Sequence, residues 1–329
     1  MTLRSAVLVV ALLTVPASSA LADGTPETDT PAVRTIVERT IKLAGPEYAP
    51  VARHLCYLHS PQDKADLARR RAGITMRATK VFDDLFYVGT LEYGAWAYVT
   101  PAGIILFDAL DTPENARTRI IDGLRSVGLD PARITKVIIT HGHGDHFGGA
   151  AYLRRTTGAS LYASAADWDV MRHTADNPQL PREWIPLIPE QDQIIKDGEQ
   201  MGDPEHRIIF RITPGHTPGT VSSFFPVHDH GRRHMVALWG GVGIPTQRGP
   251  VVQYQRSASF FRSFGQKLGV DVGLTNHPHS DMALENLALV QSNPSVSPNP
   301  FISGRQGFAT WTKVLEGCAS AEEARLHGT

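Results

Sequence analysis

The chain has 329 residues, of which 42% are hydrophobic and 20% charged, and this composition is typical of a globular protein and excludes a fibrous or disordered one. Its 32 basic and 33 acidic residues give a formal net charge of −1. The balance predicts no general attraction to nucleic acid or to anionic lipid. The length suits one large domain or two modest ones.

Residues 1–22 are predicted to be a signal peptide outside the fold. Arg4 supplies a positive charge, Ala6 to Val15 is apolar but short for a membrane span, and Ala20-Leu21-Ala22 matches a small-x-small cleavage site. The alternative is an uncleaved membrane anchor. Cleavage predicts a periplasmic or secreted protein with no membrane association, because no other stretch approaches about 18 consecutive apolar residues.

The chain has two cysteines, Cys56 and Cys318. In an oxidising compartment two buried thiols can form a disulfide, which here would join the N-terminal region to the C-terminal helix. The alternative is two unrelated buried thiols, since pairing cannot be deduced from sequence. Neither cysteine lies near the histidine clusters in the chain, so no thiolate metal ligand is predicted.

Residues 23–78 are predicted to form an N-terminal helical extension. After a polar start, helices are expected at Pro31–Leu43, Tyr48–Leu58 and Asp63–Arg71, and Gly45-Pro46 is expected to end the first. The basic run Arg69-Arg70-Arg71 is interpreted as a solvated helix end.

Residues 79–291 are predicted to form the main domain, and residues 292–329 a loop and a helix, Arg305–Ala319, that packs on it. Strands are predicted at Val81–Phe82, Leu85–Val88, Ala97–Val99, Ile104–Phe107, Lys136–Thr140, Ser160–Ala163, Gln193–Ile195, Arg207–Ile212, Val221–Val227, Met235–Trp239 and Val272–Thr275. Helices are predicted at Pro113–Val127, Gly149–Arg155, Ala165–His173, Ser257–Leu268 and Met282–Gln291. This order indicates an α/β fold with mixed sheets and helices packed outside.

Four potential metal ligands follow the strand that ends at Thr140: His141, His143, Asp145 and His146. Residues two apart in an extended segment project to the same side, so His141 and His143 can bind one ion together. Asp145 and His146, at the start of the next helix, can then face a second ion. Imidazole and carboxylate without thiolate favour zinc. The alternative is a solvated histidine-rich loop.

Two later strands also end in histidines. His216 follows the strand ending at Ile212, and His277 and His279 follow Val272–Thr275. Because ligands collect at strand ends of open sheets, His216 and His277 are candidates to complete two sites. The remaining histidines are interpreted as surface residues, with His228 and His230 as an adventitious metal site at most: His54, His59, His173, His206, His228, His230, His234 and His327.

These motifs resemble the metallo-β-lactamase superfamily, whose H-x-H-x-D-H signature is seen at His141–His146. Residues 77–291 carry the resemblance, which is strongest to the third subclass of metallo-β-lactamases and also includes Gly215-His216-Thr217-Pro218-Gly219. It implies a four-layered αβ/βα sandwich and two Zn²⁺ per chain. His141, His143 and His216 would bind the first zinc. Asp145, His146 and His277 would bind the second, and Asp108 would orient a ligand histidine.

Several positions bear on the substrate. Thioesterase-like and di-iron members place a bridging carboxylate at the end of a late strand, where this chain has Trp239-Gly240-Gly241 without an acid. That absence favours the lactamase-like arrangement. However, Asp108 is followed by Ala109-Leu110 in place of the usual glycines, and Gly241-Val242-Gly243 replaces serines that contact the substrate carboxylate in third-subclass lactamases.

The predicted function is zinc-dependent hydrolysis of a small molecule, because zinc lowers the pKa of a bound water towards neutrality. A β-lactam amide is the expected substrate, and a lactone, ester or halogenated aromatic compound is the alternative. A zinc-binding protein without turnover is a further alternative. Asp145 is the candidate catalytic residue that orients the nucleophile and relays its proton. His279 is expected either to contact substrate or ligands or to lie on the loop surface.

Overall fold

The computed structural model describes residues 25, 28–58, 60–177 and 180–327. The predicted signal peptide and His59 lie outside these residues. Within the described ranges, no helix is both long and apolar enough to cross a membrane.

In the described residues, twelve strands form two sheets. The first sheet has the order β1-β2-β3-β4-β5-β6-β7, with antiparallel pairing from β1 to β4 and parallel pairing from β4 to β7. Its strands are β1 Thr79–Lys80, β2 Leu85–Tyr87, β3 Trp96–Thr100, β4 Gly103–Phe107, β5 Ile134–Ile138, β6 Ser160–Ser164 and β7 Gln193–Ile195. The second sheet has the order β12-β11-β10-β9-β8, in which only β11 and β12 are parallel. Its strands are β8 Gln200–Met201, β9 Ile208–Ile212, β10 Val221–Asp229, β11 Arg232–Trp239 and β12 Val272–Thr275.

Ten α-helices surround the sheets in the described part of the chain. They are α1 Pro31–Cys56, α2 Pro61–Arg71, α3 Pro113–Asn115, α4 Asp122–Ser126, α5 Gly144–Phe147, α6 Ala150–Thr157, α7 Ala165–Arg172, α8 Arg248–Leu268, α9 Ala283–Ser292 and α10 Gly304–His327. A π-helical segment, Ala116–Ile121, joins α3 to α4 where one regular helix is predicted. Short 3₁₀ turns lie at Pro131–Arg133, Thr174–Asp176 and Arg182–Leu187.

The alternation of side chains along β4 shows how the layers stack. Ile105 and Phe107 point into a cluster shared with the second sheet, where Phe107 stacks on Phe225 at 4.9 Å between ring centroids. Ile104 and Leu106 point the other way, into a cluster with the helices on the outer face. Both faces of the sheet are therefore buried, which explains the continuous apolar run in the sequence. With α1, α8 and α10 on the far side of the second sheet, the order is helix, sheet, sheet, helix.

The N-terminal extension packs along α10 and is covalently attached to it. A disulfide joins Cys56, the last residue of α1, to Cys318 in the middle of α10. The structure has one kinked helix where two are predicted, because Gly45 adopts φ 65° and the helix resumes at Pro46. A proline in a first turn lacks only an N–H that would be unsatisfied there anyway.

Three other boundaries differ from the predictions. The helix predicted from Ser257 begins nine residues earlier at Arg248, since Pro250 lies in its first turn and does not stop it. Val81 and Phe82, predicted as a strand, are buried in the turn after β1. The two-residue strand β8 was not predicted, because it is too short to show a period.

Candidate metal centre

The candidate ligands lie at the ends of strands that come from both sheets. His141 and His143 follow β5, and Asp145 and His146 lie in the single turn of α5. His216 lies in the turn after β9, and His277 in the turn after β12. These strand ends from the two sheets meet at one edge, so His141 and His277, 136 positions apart in the sequence, lie in the same site.

The first triad consists of His141, His143 and His216. The Nε2 atom of His216 lies 3.1 Å from Nε2 of His141 and 3.1 Å from Nδ1 of His143. The three ligand atoms all lie within 4.8 Å of one another, a spacing that can hold a metal ion. The structure thus brings together the residues predicted for the first zinc.

The second triad consists of Asp145, His146 and His277. Nε2 of His146 lies 3.1 Å from Oδ2 of Asp145 and 3.2 Å from Nε2 of His277. The distance from His277 Nε2 to Asp145 Oδ2 is 3.6 Å. The ligand atoms of His141, Asp145 and His146 also lie within 4.8 Å of one another, so the two triads are adjacent.

The tautomers of the candidate ligand histidines follow from the hydrogen bonds of the ring nitrogen that faces away from the triad. Nδ1 of His141 lies 2.8 Å from the Gly240 carbonyl, and Nδ1 of His216 lies 2.7 Å from the Gly243 carbonyl. Carbonyl oxygens only accept, so each Nδ1 carries a proton. The two Nε2 atoms then face each other across 3.1 Å with lone pairs and no hydrogen between them. Two such lone pairs repel each other unless a cation binds both of them. Neutral imidazole nitrogens are ligands that fit zinc.

The same reasoning applies to the second triad. Nδ1 of His277 donates to the Glu92 carbonyl at 2.9 Å, and Nδ1 of His146 donates to Oδ2 of Asp108 at 2.8 Å. Both Nε2 atoms are again directed at each other and at the Asp145 carboxylate. Neutral imidazole nitrogens and one carboxylate oxygen are ligands that zinc accepts.

Burial determines the charge state of most of these groups. Desolvation lowers the pKa of His143 to about 3 and those of His216 and His277 to about 4, and it holds the pKa of His141 well below its usual value. His146 differs: although burial lowers its pKa, the Asp145 and Asp108 carboxylates raise it to about 10. The neutral imidazole is the form that binds a metal ion.

Asp108 lies directly behind the second triad. It is fully buried and adopts φ 66°, which an aspartate tolerates better than most residues. Its Oδ1 accepts the Thr140 backbone N–H at 2.7 Å, and Oδ2 accepts the Thr140 hydroxyl at 2.9 Å as well as the His146 ring. Asp108 therefore ties the end of β4 to the histidine-containing loop and orients His146.

Two glycines allow the ligands to approach closely. A Cβ on Gly144 would overlap the ring of Trp184, which covers α5. A Cβ on Gly241 would lie 2.8 Å from Cβ of His216, closer than real contacts occur. The strand end after β11 thus has no room for a side chain beside His216.

Asp167 supports the first triad and was not singled out from the sequence. It accepts hydrogen bonds from the Gly142 N–H at 3.2 Å, the Thr217 hydroxyl at 2.8 Å and the Gly219 N–H at 3.1 Å. It thereby joins the His141–His143 loop to the His216 turn. In the sequence Asp167 looks like an ordinary residue in the first turn of a helix, since it lies three positions after Ser164. Ser164 is the N-cap of α7 and accepts the Asp167 N–H.

The triads open onto a cavity of about 590 Å³. Its lining consists of His54, Leu55, Leu58, Tyr93, Asp111, Thr112, His143, Asp145, Glu183, Trp184, Leu187, His216, Val242, Gly243, His277, His279 and Ser280. A second cavity of about 600 Å³ adjoins it and shares Leu55, Leu58, His143, His216 and Gly243. The end of α1 therefore forms a wall of both cavities.

The interpretation of the remaining histidines as surface residues is wrong for His54, which is 4% exposed. The alternative of a surface position for His279 is also wrong, since it is 8% exposed and lines the cavity. Both histidines are buried because the N-terminal extension packs over the site at the end of β12.

Two of the three arginines at the end of α2 are also less solvated than predicted, whereas Arg69 is exposed as expected. Arg70 pairs with Glu285 at 2.7 Å, and Arg71 pairs with Glu92 and contacts Nδ1 of His279 at 3.0 Å. The basic run thus attaches the extension to the domain beside the candidate metal centre.

Comparison with known proteins places residues 91–230 in a family model described as the metallo-beta-lactamase superfamily. The chain is 35% identical over 95 residues to a hydroxyacylglutathione hydrolase of Methylococcus capsulatus, a match covering 28% of this chain and 30% of that protein. It is 26% identical over 158 residues to a probable metallo-hydrolase of Bacillus subtilis, covering 47% of this chain and 71% of the relative. The hydroxyacylglutathione hydrolase match therefore spans less than a third of that relative's length.

Solved structures show the same fold. The subclass B3 metallo-beta-lactamase BJP-1 of Bradyrhizobium japonicum aligns with a TM-score of 0.65 at 24% identity, covering 79% of this chain and 98% of that one. The metallo-beta-lactamase FEZ-1 of Legionella gormanii aligns with a TM-score of 0.64 at 21% identity, covering 77% and 96%. The predicted α/β four-layer fold with its N-terminal helical extension is confirmed. The domain boundaries at 79–291 and 292–329 stay predictions.

Proposed function

Because residues 91–230 belong to the metallo-beta-lactamase superfamily, we propose that this chain is a zinc hydrolase that opens the amide of a β-lactam. The observation that carries the proposal is the pair of adjacent triads whose ligand lone pairs converge within 3.1–3.6 Å at the edge of a cavity. Two Zn²⁺ per chain would be held by His141, His143 and His216, and by Asp145, His146 and His277.

The chain's own residues define the rest of the chemistry. Zinc, when bound, lowers the pKa of a water and polarises a carbonyl. Asp145 lines the cavity, and His146 holds the pKa of its carboxyl well below the usual range although burial opposes this. It is therefore an ionised acceptor that can orient a water by accepting a hydrogen bond from it. Leu55, Trp184 and Val242 give the cavity an apolar wall that limits bulk water.

The absence of a carboxylate beside His216 supports an amide over a thioester. A bridging acid at the end of β11 would need a side chain where Gly241 has no room for a Cβ. The ligand set then consists mainly of nitrogen, as in the lactamase-type sites that the sequence resembles. The fold of subclass B3 metallo-beta-lactamases agrees with this arrangement.

Hydrolysis of an ester, thioester or lactone is the second candidate. It is supported by the local similarity to proteins named hydroxyacylglutathione hydrolase. It is also supported by Gly241-Val242-Gly243, which offers no side-chain hydroxyl to hold a substrate carboxylate.

A substrate panel tests both candidates. The full chain loaded with zinc is expected to hydrolyse a chromogenic cephalosporin and to lose this activity with a chelator. Cleavage of lactones or thioesters without lactam turnover would replace the first candidate with the second. Two bound zinc ions without turnover of any panel member would favour a zinc-binding protein.

A periplasmic or secreted location is part of the proposal. It is supported by the Cys56–Cys318 disulfide, because such bonds persist in oxidising compartments. Expression of the full gene with fractionation of the cells is expected to place the processed chain outside the cytoplasm. A cytoplasmic chain of unchanged mass would contradict both the location and the predicted cleavage after Ala22.

A further inference from the structure

A second group of reactive side chains lies in the wall of the cavity, next to the metal triads but separate from them. It consists of Asp63 from α2, His54 from α1 and Ser280 from the loop after β12. Nδ1 of His54 lies 2.7 Å from Oδ1 of Asp63, and Nε2 lies 3.2 Å from the Ser280 hydroxyl. All three residues are buried, while His54 and Ser280 line the cavity.

The chemistry of the three groups determines which atom donates and which accepts in each hydrogen bond. The Asp63 carboxylate can only accept, so Nδ1 of His54 carries the proton and its Nε2 has a lone pair. That lone pair then accepts from the Ser280 hydroxyl. A nucleophile bonded to a base, with the base oriented by a third group, is the arrangement that activates a serine.

The surrounding contacts hold this arrangement in place. The Ser280 N–H donates to the His277 carbonyl at 3.0 Å, and its own carbonyl accepts from the Trp311 indole at 3.2 Å. The His279 ring packs edge-on against His54 at 4.8 Å between centroids. The Asp63 backbone N–H is bound by Ser60 at the start of α2. Ser280 and His54 are thus fixed by the domain on one side and by the extension on the other.

We propose that Ser280, His54 and Asp63 form a second nucleophilic centre, which accepts an acyl group from an activated ester entering the cavity. The Ser280 oxygen forms a bond to the acyl carbon, and its proton passes to Nε2 of His54. The bond to the alkoxide leaving group breaks, and that group takes the proton from His54. Water, with His54 as its base, then hydrolyses the acyl-serine and restores the free hydroxyl.

This inference goes beyond the proposed zinc hydrolase and does not depend on it. It also assigns a role to the N-terminal extension, which supplies two of the three side chains.

Covalent labelling tests the proposal. The full chain, both as purified and after treatment with a chelator, is incubated with a fluorophosphonate, whose phosphorus bonds to an activated serine oxygen as fluoride leaves. Mass spectrometry is expected to find one adduct, located on Ser280 by peptide mapping, in both samples. Ser280→Ala should abolish it, and Asp63→Asn should slow labelling by about 100-fold.

The controls separate chemistry from folding. Ser223→Ala removes another buried serine hydroxyl, one without a hydrogen-bond partner in the described structure, and should label at the wild-type rate. His54→Gln provides a second variant if circular dichroism shows that Asp63→Asn unfolds. No adduct on Ser280 in the wild-type protein, or an unchanged rate in the folded Asp63→Asn or His54→Gln variant, overturns the proposal. Chelator-sensitive lactam hydrolysis without labelling would remove only this inference, whereas labelling without hydrolysis would remove only the zinc hydrolase.

Discussion

Burial favours the neutral form of the candidate ligand histidines other than His146, and three of them also donate to backbone carbonyls. Each Nδ1 proton of His141, His216 and His277 is held by a backbone oxygen 2.7–2.9 Å away. Nε2 of His141 and Nε2 of His216 therefore face each other at 3.1 Å without a hydrogen between them. Metal affinity should therefore depend on individual side chains and be lost one triad at a time.

Metal content of single variants tests the assignment of ligands. We expect His216→Ala to lose the first zinc, since only two of the three histidines of the first triad remain. Asp145→Asn should retain that first ion while activity falls by about 100-fold or more, because the ionised acceptor is removed. Inductively coupled plasma mass spectrometry measures zinc per chain, with the exposed His173→Ala as control. Two full zinc ions in His216→Ala would show that the assignment is wrong.

Asp108 offers a test of a residue that acts through another. Asp108→Asn keeps a side chain that tolerates φ 66°, but an amide cannot accept from His146 and both Thr140 groups together. We expect zinc affinity at the second triad to fall by about 10- to 100-fold, with the first triad unchanged. Competition with a chromophoric chelator measures both affinities. Equal weakening at both triads would indicate general destabilisation of the loop.

At the scale of elements, the end of α1 is part of the site although it belongs to the extension. Leu55 and Leu58 line both cavities, and the disulfide at Cys56 fixes their position against α10. The candidate ligands lie in short turns that follow β5, β9 and β12. The cavity wall, in contrast, is formed by the end of α1, which belongs to the N-terminal extension. Substrate fit and metal chemistry should therefore be separable by mutation.

Leu58→Ala tests this separation. The shortened side chain should raise KM by about 5- to 10-fold through lost apolar contact, with kcat little changed, because no ligand is disturbed. Leu43→Ala is the control, since Leu43 lies on α1, which ends two residues before Leu58, and is 45% exposed. Steady-state kinetics on the best panel substrate decides the question. A fall in kcat with constant KM would mean that α1 positions the reacting groups.

At the scale of the whole molecule, two buried carboxyl groups link stability to pH. Burial raises the pKa of Asp167 and of Asp281 to about 7 from 3.8. Between about pH 4 and 7 the unfolded chain has released these protons while the folded chain still holds them. These two groups therefore reduce stability as pH rises through this window, whereas the buried histidines with pKa values of about 3 to 4 increase it up to about pH 6.5.

Thermal unfolding of the metal-free protein from pH 4 to pH 9 measures this dependence. We expect Asp281→Asn to gain Tm relative to the wild-type protein as pH rises from 4 to above 7, because its side chain cannot ionise in the folded chain. The exposed Asp169→Asn should follow the wild-type profile. A Tm difference between Asp281→Asn and the wild-type protein that stays constant from pH 4 to 9 would show that Asp281 holds no proton in the folded chain.

The sequence determined the features that depend on local pattern. The apolar run of β4 and the turn at Gly215-His216 indicated strand ends, and the interleaved histidines and glycines after β5 indicated candidate ligands. These features are recognisable because residue spacing along a strand or a turn fixes which side chains share a side. The direct continuation of α1 beyond the predicted break at Gly45-Pro46 and the early start of α8 were missed, because a proline is tolerated in the first turn of a helical segment.

Only the tertiary structure decided which distant residues meet. The pairing of Cys56 with Cys318, the support that Asp167 gives to two loops, and the contact of His54 with Ser280 all join segments far apart in the chain. Sequence spacing carries no information about such contacts, because they arise when whole helices pack on a completed sheet. The candidate metal ligands could thus be proposed from the sequence, whereas the residues that form the walls of the cavity could not.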